Sequence, residues 1–193
     1  MIFKRSFAIF VAALIIAGCG AESETSDGKK IVNIGHVGPL TGPIAHLGKD
    51  NERGAELAVD EANELDLVID GVPIQFRLLS EDDEANPQKA TVVAQKLVDS
   101  DIVGVVGHLN SGTTIPASTI YFDSGIPQVS PSATAITYTH QDYQTAHRVM
   151  ANDEQQGKVL GDYAVKTLDA KGIAIIDDRS AYGKGLSSKA RSM

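Results

Sequence analysis

Short β-branched apolar runs alternate along this chain with longer stretches of helical spacing. Lys30 to Gly38 reads as a buried strand that stops at the rigid loop Gly38-Pro39-Leu40-Thr41-Gly42-Pro43. From Gly48 the spacing turns helical, with Ala55, Ala58, Val59 and Ala62 at i, i+3, i+4 and i+7. Val72 to Leu79 predicts a second strand, followed by the acidic run Glu81 to Glu84, which reads as a solvated turn rather than a cation loop. Asn86-Pro87 predicts a capped helix start, and Ala90, Val93, Ala94 and Leu97 give its apolar face.

The third strand, Ile102 to Val106, breaks at Gly107 and passes through a polar loop into a helix that holds Pro116 in an early turn and ends near Ser124-Gly125. Ile126 to Val129 follows as a strand and Ser130 to Ala135 as a small, hydroxyl-rich loop. Beyond Met150 the spacing predicts a helix over Glu154 to Leu168 with Val159, Leu160, Tyr163 and Ala164 toward a core. A strand is expected at Gly172 to Ile176, then a loop at Asp177 to Gly185 that opens a helix, then a polar tail from Ser187 to Met193 without an apolar stripe. Strands and helices alternating at this spacing predict an α/β fold, a parallel sheet with helices on both faces.

Such a sheet gives the Gly107 break its chemical interest. A strand-to-helix turn aims free backbone N–H groups and a positive dipole end beyond the strand's carboxyl end, and Ser111, Thr113 and Thr114 add hydroxyls. If the next strand lies alongside, Ser132 and Thr134 come near Ser111 and two hydroxyl-bearing loops share one pocket mouth. An ordinary strand-to-helix connection is the alternative reading of the same residues.

The bulk composition narrows the classes. At 193 residues, 42% hydrophobic and 22% charged, the chain suits a globular domain. Its formal charge of -8 becomes -10 if Lys4 and Arg5 leave with a cleaved leader, and no basic stripe remains to track phosphates, so no nucleic-acid partner is expected. Residues 1–18 read as a signal peptide, with the basic Lys4-Arg5 start and an apolar run from Phe7 to Ile16. Ile16-Ala17-Gly18-Cys19 resembles the bacterial lipobox, so Cys19, the one cysteine of the chain, is expected to carry lipid at an exported, periplasmic or cell-surface site. Residues 19–30 then form a polar tether.

Catalytic signatures are missing. Leu109 stands where a nucleophile elbow built on Ser111 needs glycine, which argues against an α/β hydrolase. There is no glycine-rich phosphate fingerprint, and no cofactor is implied. His36, His46, His108, His140 and His147 lack zincin-type pairing and read as structural or surface histidines rather than metal ligands.

Gly38-Pro-Leu-Thr-Gly42 with Gly48, the Asp82-Asp83 to Pro87 segment, Gly107-His-Leu-Asn-Ser111 with Pro116-Ala-Ser118, Pro131-Ser-Ala-Thr134 and Tyr182-Gly-Lys-Gly185 occur in one order and spacing. Through them the chain, from Ile31 to Leu186, resembles the branched-chain amino-acid binding proteins, the leucine/isoleucine/valine receptors of ABC transporters with the type I periplasmic-binding-protein fold. The resemblance implies a non-enzymatic receptor of two lobes that closes on an amino acid and delivers it to a membrane permease. Residues 31–150 would form lobe one and 151–193 the start of lobe two. It further implies that Ser111 and Thr134 bond the ligand's carboxylate and ammonium, that backbone groups at Leu109, Ser132 and Ala133 assist, that Asn110 borders the site, and that Leu47 and Tyr182 wall it.

Three departures stand out. Leu47 replaces an aromatic residue of some relatives, and Ala85 and Asn110 replace a cysteine pair found in others. Family members also run to about twice this length, and the acidic residue that meets the ammonium falls in their later half, so a truncated or frameshifted receptor is expected. A sensor domain, or a receptor for an amide, urea or aromatic acid, shares the same fold and remains an alternative, as does a purely structural surface lipoprotein.

Overall fold

The computed structural model describes residues 28–192, so the expected signal peptide and lipidated Cys19 lie outside the described residues. The sheet contains β1 (Lys30–Gly38), β2 (Val68–Ile69), β3 (Val72–Asp82), β4 (Ile102–Gly107), β5 (Gln128–Ser130) and β6 (Ala146–Arg148), in the order β2-β3-β1-β4-β5-β6. All neighbours pair in parallel except β2, which forms a tight antiparallel hairpin with β3. β1 lies centrally because its Ile, Val and small residues can be covered on both faces. Helices α1 (Ala45–Glu64), α2 (Pro87–Val98), α3 (Ser111–Asp123) and the short α4 (Ile136–Thr139) connect the strands.

The core forms where α2 and α3 meet the sheet: Val37, Val93, Ala94, Leu97, Ile102, Val105, Ala117 and Tyr121 are buried together. Gly35 lets this layer pack closely, since a Cβ there would stand 3.0 Å from the Cδ1 atoms of Leu97 and Ile102 and would press those side chains aside. α2 follows its sequence signals closely. The Asn86 side chain accepts from the amides of Gln88 and Lys89, Pro87 occupies the first turn, and all four expected apolar residues are buried.

α1 departs from its predicted stripe. It begins at Ala45, and Gly48 and Ala55 are its buried residues while Ala58 is exposed. The helix docks through Gly48, where a Cβ would fall 2.1 Å from the Pro39 carbonyl oxygen, and through Asn63, whose amide exchanges two hydrogen bonds with the Phe76 backbone. That polar anchor rotates the inward face away from Ala58. β5 begins at Gln128 instead of Ile126 because Pro127 has no N–H to donate, although its carbonyl accepts from Val105.

The later segment differs more. α5 (Asp153–Asp162) continues into one π-helical turn, Tyr163–Thr167, and α6 (Ala181–Arg191) converts most of the expected polar tail into helix. Val159, Leu160 and Tyr163 are exposed, and the buried positions of α5 are Asp153, Gly157 and Gly161, one every fourth residue. The close packing with α6 chooses this glycine face over the apolar one. Gly172 to Ile176 forms no strand: among the described residues no strand pairs with it, and Ile176 is 93% exposed.

Candidate functional site

The carboxyl ends of β4 and β5 open onto a cleft of about 840 Å³. Leu47, Ala85, Pro87, Leu109 and Tyr182 contribute apolar wall, and Asn110, Ser111, Ser132, Thr134, Asp178 and Arg179 contribute polar groups. Seven of the eight residues expected to form the site therefore meet at one opening. Ala133 is the exception, being fully buried with its amide on Ser130 Oγ (2.9 Å) and its carbonyl bonded by Arg148 (2.9 Å). Ala85 and Asn110, the two positions set apart for replacing cysteines, face this cleft together.

The two hydroxyl loops are joined before any ligand arrives. Ser130 Oγ donates to the His108 carbonyl (2.8 Å), Ser132 Oγ donates to the Leu109 carbonyl (2.8 Å), and the Ala135 amide donates to Ser111 Oγ (3.2 Å). Because Ser111 Oγ accepts from Ala135, its proton remains free to donate into the cleft. The amides of Ser111 and Gly112 lie in the first turn of α3, where no intrahelical acceptor is available. Across the opening, a methyl group at Gly112 would come within 3.8 Å of Ala181 Cβ, so the positive ends of α3 and α6 face the same space. Two buried oxygens remain without a hydrogen-bond partner among the described residues on this wall, Thr134 Oγ1 and Asn110 Oδ1.

Beneath the cleft lies a buried polar chain. His108 Nδ1 is 2.8 Å from Asp83 Oδ2, and Nε2 is 3.2 Å from the Tyr121 hydroxyl, with all three side chains fully enclosed. Asp83 accepting from Nδ1–H leaves Nε2 to accept from Tyr121, and burial pushes the Tyr121 phenol up from its ordinary pKa. The acidic run is thus no solvated turn. Asp83 also accepts from the Ala85 amide (2.9 Å), and Asp82 receives the Leu40 amide (2.8 Å), the Thr41 hydroxyl (2.5 Å) and the Glu84 amide (2.9 Å). Burial works to raise the Asp82 carboxyl, but these donors prevail and hold it below its ordinary range. These carboxylates fix the loops after β1 and β3 against the one after β4.

Other groups escaped the sequence reading. Asp153, at the first turn of α5, is 1% exposed with neither carboxylate oxygen hydrogen-bonded among the described residues, and its amide donates to the Thr134 carbonyl (2.9 Å). A Cβ at Gly185 would fall 2.3 Å from its Oδ2. The Asn152-Asp153-Glu154 cap signal marks the helix but does not reveal this burial. Gln156, Ser180 and Ala181 also border the cleft, brought there by α5 and α6. Among the described residues no group of three or more His, Cys, Asp or Glu side chains is placed to hold a metal.

Comparison with known proteins places this geometry. Residues 31–193 match the periplasmic binding protein family model. An amino acid binding protein of Pseudomonas aeruginosa is 40% identical over 161 residues, covering 83% of this chain and 42% of that protein. The leucine-, isoleucine-, valine-, threonine-, and alanine-binding protein of the same organism is 34% identical over 180 residues, covering 93% of this chain and 47% of its own length. The chain thus spans about half the length of the relatives it matches. The crystal structure of LivJ from Streptococcus pneumoniae, a branched-chain amino acid transporter substrate-binding protein in complex with isoleucine, superposes with a TM-score of 0.75 and 33% identity, covering 84% of this chain and 46% of that one. A parallel sheet of this order, with a cleft at the carboxyl ends of β4 and β5 and a family match across nearly the whole described length, means that this chain belongs to the periplasmic binding protein family.

Proposed function

We propose that this chain carries the first-lobe half of a receptor for a small aliphatic amino acid, which it delivers to an ABC-type membrane permease. The observation that carries the reading is the Thr134 hydroxyl, buried and without a partner among the described residues, on the wall of a cleft where Ser132 Oγ already donates to a backbone carbonyl and Ser111 Oγ already accepts from a backbone amide. A buried polar atom without a partner is costly, and a ligand group that pairs with it recovers that cost. The carboxylate of a zwitterion suits the Ser111 hydroxyl and the first-turn amides of α3, and its ammonium suits Thr134 Oγ1 and Asn110 Oδ1. Leu47, Leu109 and Pro87 offer an aliphatic side chain apolar wall. The names of the relatives, and the isoleucine bound by the pneumococcal protein, agree with this ligand class.

Residues 31–150 act as lobe one and 151–193 as the opening of lobe two in this reading. Cys19 is its lipid anchor, holding an exported protein at the membrane beside its permease. Cys19→Ser is expected to release the protein from the membrane fraction, and retention there overturns the anchor.

Titration calorimetry of the chain with L-leucine, L-isoleucine and L-valine tests the ligand site. Ser111→Ala and Thr134→Ala are each expected to weaken binding by about 1 to 3 kcal/mol, the usual cost of leaving one buried polar partner unmatched. Equal affinity in both variants and the parent would place the ligand elsewhere.

A further inference from the structure

The hydroxyl of Thr134 is useful only if the backbone beneath it is held still, and three successive carbonyls of its loop are gripped from one direction. Arg148 Nη1 donates to the Ala133 carbonyl (2.9 Å) and Nη2 to the Ala135 carbonyl (2.9 Å), while the Asp153 amide takes the Thr134 carbonyl between them (2.9 Å). The guanidinium is itself fixed. Its Nη2 also donates to Thr139 Oγ1 (2.7 Å), and its carbon lies 5.4 Å from the centre of the Tyr138 ring. Arg148 ends β6, opposite Ser130 in the parallel register, so the strand delivers the fork beside the start of the loop.

None of these three bonds goes to a carboxylate. An arginine partly buried to bind two backbone carbonyls and a hydroxyl is oriented by shape more than by charge, and the planar fork is what a lysine lacks. On the far side Ser130 Oγ holds the Ala133 amide and Ser111 Oγ the Ala135 amide. Thr134 is therefore clamped on both flanks while its own hydroxyl has no partner among the described residues. Arg148 and Asp153 bracket residues 149–152, the segment by which the chain leaves the sheet for α5. The clamp ties the loop to that exit.

We propose that Arg148 is the positioning residue of this site: its fork on Ala133 and Ala135 sets the Thr134 backbone so that the hydroxyl meets the ligand without rearrangement. The assignment rests on the receptor reading of the cleft. Arg148 touches no ligand in it and acts through Thr134, so the two residues should be coupled in binding.

A double-mutant cycle on the chain, read by calorimetry with L-isoleucine and L-leucine, tests that coupling. Arg148→Met and Arg148→Lys are each expected to weaken binding tenfold or more when Thr134 is present, and by less than twofold when it is alanine. Equal losses in both backgrounds, or no loss in either, overturn the proposal. Amide hydrogen exchange without ligand gives a separate reading. In Arg148→Lys the Ala133, Ala135 and Asp153 amides should lose protection at least tenfold while those of β1 keep theirs; uniform loss across the sheet means a structural strand end only and overturns it. If the parent binds neither amino acid, the receptor reading fails, and the exchange pattern still decides whether Arg148 holds the loop.

Discussion

His36 sits on the central strand with neither ring nitrogen bonded among the described residues and no exposed surface. Burial is the leading cause that holds its pKa below the ordinary value; Glu52 opposes it, His108 adds to it, and Asp83 opposes it more weakly. The folded protein therefore resists protonating a ring that the unfolded chain protonates freely. Stability from this residue is complete above the unfolded value of 6.5 and declines as pH falls below it toward the lower folded value. Urea midpoints of the parent should fall from pH 7 to pH 5 more steeply than those of His36→Leu, which also removes two unpaired nitrogens. Parallel curves would assign the acid sensitivity to other groups.

At the scale of elements, local signals succeed where one interaction dominates and fail where two compete. Asn86-Pro87 and the apolar face of α2 were legible because cap, ring and stripe agree. Asn86→Ala removes two amide partners and should cost about 1 kcal/mol in chemical denaturation. The loops around Ser111 and Thr134 were legible too, since parallel pairing of β4 with β5 leaves them few other places to go. β6 was not, because a run of three residues shows no period. Nor was the buried Asp83, because an acidic run looks solvated until His108, 25 residues later in sequence, supplies the partner.

α5 is the sharpest failure of periodicity, and Gly157 shows why. Helix propensity alone favours alanine over glycine there by roughly 1 kcal/mol. A Cβ, however, would lie 2.6 Å from Lys189 Cβ and 2.8 Å from the Ala190 backbone nitrogen. Overpacking against backbone costs roughly 1 to 3 kcal/mol, so sterics win. Gly157→Ala should lower the melting temperature and raise exchange in α6, and a rise in melting temperature would mean that the two helices part without cost.

Across the whole molecule, stability should be uneven. The sheet from β3 to β5 is enclosed by α2 and α3 over a shared apolar core, and its backbone groups are satisfied in ladders. The segment from Leu168 to Asp178 has neither support: Leu168, Ile173 and Ile176 are exposed, and Gly172 to Ile176 belongs to no helix and no ladder among the described residues. Opening such a stretch breaks few bonds and exposes little new apolar surface, so it should open far more often than the molecule unfolds. Limited proteolysis under native conditions should first cut between 168 and 178, leaving a resistant product that retains β1 to β6. The cleft predicts a second effect on the same gel. Its walls include Thr134 on one side and Asp178 to Tyr182 on the other, so an amino acid bridging them links the stable part to the labile one. Saturating L-isoleucine should slow that first cut in the parent and leave Thr134→Ala cut at its unliganded rate. Protection that persists in Thr134→Ala would mean that the bridge is made by other groups on the wall, whereas a first cut within β1 or β4 would mean that the labile part of this molecule is the sheet itself.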